Sequence, residues 1–326
     1  MTEIERRKDT QGQPPSLYIV VPCYNEEAVL PLTAERLADK LRALIGAGLV
    51  SAKSRLLFVN DGSRDSTWAI ISSLHAQDPL FAGISLSRNR GHQNALLAGL
   101  MTAKELADIT ISIDADLQDD VDAIDKMVAE YKNGAEIVCG VRSKRDTDTF
   151  FKRATAEGFY RLLQAMGVEI VFNHADYRLM SARALDCLSE YREVNLFLRG
   201  VVPLIGFRTA VVTYERSERQ AGESKYSLAK MLALAMDGIT SFSLKPVRMI
   251  AFLGGFVLAV SSVAFICLLA AKLAGHSVSG LALLTASLWA LGGVQLLALG
   301  LVGEYVGKIY LETKARPRYF IAERLL

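Results

Sequence analysis

The sequence predicts an α/β fold: a mostly parallel sheet with helices on both faces, followed by amphipathic helices and a C-terminal hairpin of apolar helices. Three observations carry this. Short apolar, β-rich runs alternate with helix-length segments through the first half of the chain, several of those runs end abruptly in acidic or amide residues, and two long uncharged apolar stretches come later. With 326 residues, 51% of them hydrophobic, there is material for a sizeable core and for a membrane segment besides.

Residues 1–16 are polar, lack the apolar centre of a signal peptide, and are expected to form a disordered cytoplasmic tail. Leu17 to Pro22 reads as the first strand, and Cys23-Tyr24-Asn25-Glu26-Glu27 turns it into a helix running to about Ile45. Asn25 is the expected N-cap, with Gly46 and Gly48 beyond the far end. Arg55 to Asn60 repeats the plan, and Asp61-Gly62-Ser63-Arg64-Asp65-Ser66-Thr67 supplies the turn into a second helix. Ala82 to Ser87 is a third strand, followed by Asn89, Gly91 and a helix from His92 to about Ala107. Ile109 to Ile113 is the fourth strand and Glu136 to Gly140 the fifth. Such alternation places the polar strand ends together along the carboxyl edge of a parallel sheet, where open α/β folds bind ligands.

At the end of the fourth strand stands Ile113-Asp114-Ala115-Asp116-Leu117-Gln118. Two carboxylates leaving a buried strand can hold a hard divalent cation through oxygen and leave positions for a phosphate-bearing ligand. The same residues also read as an Asp-rich turn, with Asp119, Asp120 and Asp122 available to cap the next helix.

The net charge of +2 is too small for a nucleic-acid surface, and no nucleic-acid partner is expected. Cys23, Cys139, Cys187 and Cys267 lack metal-like or redox spacing, which fits a reduced cytosolic domain. Met249 to Ala271 and Leu281 to Gly303 are uncharged runs of about 23 residues, long enough to cross a bilayer as helices. Lys245 and Arg248 precede them and Lys308, Lys314, Arg316 and Arg318 follow, so both termini, and with them the α/β domain, are expected on the cytoplasmic side of an inner membrane. The segment 150–166, and 227–243 with Leu228, Met231, Leu232, Ala235, Ile239 and Phe242, have helical apolar spacing suited to the lipid interface. Gly254-Gly255 and Gly292-Gly293 permit close helix packing, which is compatible with a homo-oligomer and leaves the oligomeric state open.

Val21-Pro22-Cys23-Tyr24-Asn25-Glu26-Glu27, Asn60 to Thr67 and Asp114 to Asp119 together resemble the signature of family 2 glycosyltransferases with the GT-A fold. Ser87 to Gln93, Phe150-Phe151-Lys152-Arg153, Asp176-Tyr177-Arg178-Leu179-Met180 and Gly222-Glu223-Ser224-Lys225-Tyr226 resemble the polyprenyl-phosphate branch, which includes dolichol-phosphate mannose synthases and bactoprenol glucosyltransferases. The resemblance covers about residues 17 to 320. Arg90 departs from it, since this branch often has an aromatic residue there.

The resemblance implies a division into a tail (1–16), a GT-A domain (17–226), an interfacial helix (227–246), two transmembrane helices (247–307) and a cytoplasmic juxtamembrane tail (308–326). It implies Mg2+ or Mn2+ on Asp116 and Gln118, and a nucleotide-sugar pocket from Pro22, Tyr24, Glu26, Asp61, Asp114 and Ala115. Arg219 and Lys225 would close over the donor diphosphate, and Arg142, Lys152 and Arg153 would meet the acceptor phosphate. Asp116, Asp176 and Arg142 are the catalytic candidates, Asp176 in a positioning or base role or else as a structural partner of Arg178 or Arg183. His92 and His174, as lone histidines, are left outside the site. The implied reaction moves a hexose, glucose from UDP-glucose by expectation, onto undecaprenyl phosphate in the lipid bilayer with inversion. The alternatives are another donor, such as GDP-mannose or a UDP-aminoarabinose derivative, and a non-catalytic membrane scaffold that binds nucleotide sugars.

Overall fold

The computed structural model describes residues 13–142, 174–193, 198–215, 256 and 280–326. The chain divides into two compact units, one of which carries the sheet and includes Arg316–Leu326; the other includes Ser227–Ala315.

In chain order the first unit opens with β1 (Leu17–Cys23), α1 (Leu30–Gly46), β2 (Arg55–Asn60), α2 (Thr67–Gln77) and β3 (Phe81–Leu86). It continues with α3 (His92–Lys104), β4 (Ile109–Ser112), α4 (Ala123–Lys132) and β5 (Ile137–Arg142), then β6 (His174–Ser181), α5 (Ala182–Ser189), α6 (Leu198–Leu204) and β7 (Thr209–Tyr214). The second unit is described chiefly by α7 (Gly280–Lys314), after which β8 (Ile321–Leu325) belongs again to the first.

One eight-stranded sheet has the order β7-β5-β6-β4-β1-β2-β3-β8. β1 lies parallel to β2 and β4, β2 to β3, and β5 to β7. β6 runs against both β4 and β5, and β8 against β3, so the sheet is mixed where the alternating pattern predicts a mostly parallel one. The alternating pattern misses β6: Asp176 and Arg178 interrupt any apolar run in its His-Ala-Asp-Tyr-Arg-Leu-Met-Ser, and both are buried there because they pair with each other. β8 likewise ends what reads from sequence as a tail, 308–326.

Helices cover both faces. Leu30, Leu37 and Leu41 of α1 and Met127 of α4 join Ile19, Val21, Phe58 and Ile111 in the main core, and each such buried side chain contributes about 1.5–3 kcal/mol. On the opposite face α3 lies against Val20 and Val59 at Gly99, where a Cβ would run into both valines. α1 begins later than the sequence suggests: Val29 occupies its N-cap, without a side-chain hydrogen bond. Asn25 has φ 53 and a different task, taken up below.

The first predicted span, 249–271, lies outside the described residues except for Phe256, and the second falls within the 35 residues of α7. Many side chains of α7 are also outside the description, and among the described residues no helix is long and apolar enough to cross a membrane. The interfacial segments 150–166 and 227–243 lie outside the described residues as well.

Candidate active site

The strand directions bring the carboxyl ends of β1, β2, β4, β5 and β7 to one edge of the sheet, and β6, running the other way, starts there. That is the ligand-binding edge of an open α/β sheet.

The loops after β1 and β2 are tied together by hydrogen bonds. Asn25 N–H donates to Ser63 Oγ (3.0 Å) and Asn25 Oδ1 accepts from Arg64 N–H (2.9 Å). Glu26 N–H donates to Thr67 Oγ1 (3.0 Å), and Ser66 N–H to Glu27 Oε2 (2.9 Å). Asn25 is therefore a bridge between loops rather than a helix cap, and its left-handed backbone is one that asparagine tolerates. Within this frame Pro22 is buried in β1 opposite Val59, whereas Tyr24 leaves 36% of its surface open above it. Asp61 is buried and accepts from the backbone N–H groups of Arg90 (2.7 Å) and Gly91 (2.9 Å). Burial raises its pKa against the lowering effect of those two bonds. Gly62, at φ +63, sits directly on the Arg88–Asn89 backbone, where a Cβ would come within 2.5 Å of Arg88 C and Asn89 N.

After β4, Leu117 adopts φ 54, rare for a leucine, and Asp116 Oδ1 accepts from Gln118 N–H (3.2 Å). Ala115 is buried and its carbonyl accepts from Thr33 Oγ1 (2.7 Å), which fixes this loop to α1. Asp114 retains 38% of its side-chain surface yet has a pKa raised to about 6. Burial by surrounding protein is the main cause, and nearby Asp119, Asp176 and Asp116 add to it against the pull of His92. Asp119 is no helix cap: it is buried, and its Oδ1 accepts from Tyr214 Oη (2.6 Å) and from Arg142 Nη2 (3.3 Å). Arg142 Nε also donates to Tyr214 Oη (3.3 Å). α4 takes Asp122 at its N-cap without a side-chain bond.

Asp176, at the start of β6, is buried among cations. Arg199 reaches it with Nε (3.2 Å) and Nη2 (3.0 Å), Arg178 with Nη2 (3.3 Å), and Gln93 Nε2 donates to it at 3.3 Å. These partners, against the cost of burial, hold its carboxyl well below the usual range. His92 Nε2 lies 3.4 Å from Asp176 Oδ2 and 3.7 Å from Asp114 Oδ1. Although burial works against its charge, the two carboxylates raise the His92 pKa to about 9. Of the two structural partners considered for Asp176, Arg178 is present, while Arg183 pairs with Glu136 instead (3.5 Å).

Pro22, Tyr24, Glu26, Asp61, Asp114, Ala115, Asp116, Gln118, Arg142 and Asp176 thus come from strand ends on the same edge. Lys152, Arg153, Arg219 and Lys225 lie outside the described residues. His92, Arg199 and Tyr214 are additions to the set read from sequence. His92 follows Gly91 directly after β3, so its place at the carboxyl edge is readable; Arg199 and Tyr214 carry no local signature.

An α/β sheet of this kind, with helices on both faces and two loop-borne aspartates at its carboxyl edge, is GT-A-like, and the family "Glycosyl transferase family 2" matches residues 18–189. The chain belongs to this family and is a glycosyltransferase. It is 51% identical to the uncharacterized glycosyltransferase YkoT of Bacillus subtilis (strain 168), over 94% of this chain and 91% of that one. It is 39% identical to the bactoprenol glucosyl transferase of Shigella phage SfX, over 94% of this chain and 98% of that one. Among solved structures, glucosyl-3-phosphoglycerate synthase from Mycobacterium tuberculosis, in complex with Mn2+, UDP-glucose and phosphoglyceric acid, is 18% identical with a TM-score of 0.45, over 73% of this chain and 80% of that one.

Proposed function

We propose that the protein transfers glucose from UDP-glucose to undecaprenyl phosphate, or a similar polyprenyl phosphate, at the cytoplasmic face of a membrane. The observation that carries this is the assembly at one sheet edge of Asp61, Asp114, Asp116, Asp176 and Arg142 in a chain collinear with bactoprenol glucosyl transferases. In this reading Tyr24 and Asp61 receive the base, Asp114 and Ala115 the nucleotide, and Arg142 a phosphate of donor or acceptor.

The acceptor phosphate oxygen attacks the anomeric carbon, the new C–O bond forms with inversion, and the bond to the nucleoside diphosphate breaks. A phosphate oxygen is anionic near neutral pH, so no strong base is required. The depressed pKa of Asp176 accordingly favours positioning over proton abstraction.

Mg2+ or Mn2+ suits the site. Asp116 and Gln118 offer oxygen ligands beside a donor diphosphate, and a cation there would also offset the carboxylates of Asp119, Asp176 and Asp116, which add to the burial that chiefly raises the pKa of Asp114. When bound, such an ion stabilises the charge of the departing diphosphate.

The uncharged run Leu281 to Gly303 and the broadly exposed leucines of α7, Leu281 at 77% among them, support a membrane-embedded segment. A second run, Met249 to Ala271, would complete a hairpin with both ends cytoplasmic.

The test is incorporation of labelled sugar into organic-extractable lipid by the purified full chain supplied with polyprenyl phosphate. Asp116→Asn should lower transfer by more than about 100-fold while folding and membrane association persist. Full activity in that variant rejects the metal assignment. Wild type that transfers sugar from no nucleotide donor rejects the enzyme in favour of a scaffold.

A further inference from the structure

His92 is the first residue of α3 and faces the site from the β3 side. Its Nε2 lies between carboxylates from two other strands, Asp114 after β4 and Asp176 on β6. Asp176 is already held by Arg178, Arg199 and Gln93, so its partners are sufficient without the imidazole. The ring also keeps 41% of its surface. An imidazole held between two carboxylates and still open to solvent is placed to meet a ligand.

We propose that His92 is a substrate-contacting cation: anchored through Nε2 between Asp114 and Asp176, it offers Nδ1–H to a phosphate oxygen of a bound substrate. Its pKa of about 9 keeps both ring nitrogens protonated at neutral pH. The phosphate belongs either to the donor diphosphate or to the lipid acceptor, and both arrive near Asp114 and Asp176 in the function proposed above, on which this inference rests. No bond to His92 forms or breaks. It supplies a hydrogen bond and a positive charge where negative charge gathers on the leaving diphosphate or enters on the attacking phosphate.

The experiment compares wild type with His92→Gln as full chains in detergent. The readouts are the affinities for UDP and for uridine, the KM for polyprenyl phosphate, and kcat. Loss of a charge-assisted hydrogen bond predicts a fall of about 10- to 100-fold in kcat/KM. On the donor arm, UDP affinity falls while uridine affinity is retained. On the acceptor arm, UDP affinity is retained and the KM for polyprenyl phosphate rises. All constants within twofold of wild type, or equal losses of UDP and uridine affinity, overturn the proposal; the second result would mark a role in shaping the site alone.

Carbethoxylation of His92 by diethyl pyrocarbonate at pH 9, read by peptide mass in the unsubstituted protein, covers a variant that fails to fold. Protection by UDP or by farnesyl phosphate supports the contact, and labelling unaffected by both overturns it. Wild type inactive with every nucleotide sugar sinks the functional reading. Wild type that transfers sugar while His92→Gln keeps every constant sinks this inference only.

Discussion

The Tyr214 hydroxyl donates to Asp119 Oδ1 at 2.6 Å, joining the end of the edge strand β7 to the loop that carries Asp116 and Gln118. Arg142 shares that same oxygen, so three segments far apart in sequence meet at one carboxylate. Tyr214→Phe should lower stability by about 1–3 kcal/mol, because buried Asp119 loses a donor. It should also reduce kcat/KM roughly tenfold as Arg142 loses one of its two anchors. Thermal unfolding and steady-state kinetics on the same preparation check both.

Gly62→Ala tests the stitched donor loops. A left-handed alanine costs about 1–2 kcal/mol, and its Cβ would meet the Arg88–Asn89 backbone that presents Arg90 and Gly91 N–H to Asp61. Nucleotide affinity measured by titration should fall more than global stability, since the displaced loop holds Asp61.

Asp176→Asn separates structure from chemistry. Arg178 is 2% exposed, and its Nη2 bond to Asp176 neutralises it within the sheet. Removing one partner of such a pair costs about 3–5 kcal/mol. Activity lost in this variant therefore reports on catalysis only where the melting temperature shows the fraction folded; a melting temperature equal to wild type contradicts the burial argument.

The His92 ion pair also sets a pH dependence. Its folded pKa of about 9 exceeds the ordinary 6.5, because Asp176 and Asp114 outweigh burial and the opposing charge of Arg199. The folded state binds this proton more tightly, so the contribution to stability is complete below pH 6.5 and lost as pH rises through 9. The melting temperature of wild type relative to His92→Gln should shrink across that window, and an unchanged difference refutes the pairing.

Much of this arrangement is readable in the residues. The runs that become β1, β2, β3 and β4 are continuous apolar stretches ending in Cys23-Tyr24-Asn25, Asp61, Ser87 and Asp114, so both the strands and the edge that gathers their ends follow from pattern. β6 hides because its buried charges cancel only in three dimensions, through Asp176 with Arg178 and Arg199. Asn25 misleads for a related reason: it looks like a helix cap, but Ser63 and Arg64 on the neighbouring loop claim it. The same limit applies to His92. A lone histidine in sequence is unremarkable, and only the antiparallel register of β4 and β6 brings Asp114 and Asp176 to its side.

The pairing of β8 with β3 imposes an order of assembly. The ribosome makes Phe81–Leu86 early, yet the strand that covers this edge is encoded beyond the apolar run 281–303. At about 5–20 residues per second, the edge stays open for on the order of ten seconds or more while the intervening chain is made. During that interval it presents unpaired backbone groups to any passing strand. Completion of the catalytic sheet is thus tied to synthesis of the apolar segment, and a nascent chain stalled within that segment would carry the aspartate loops on a sheet still lacking one edge.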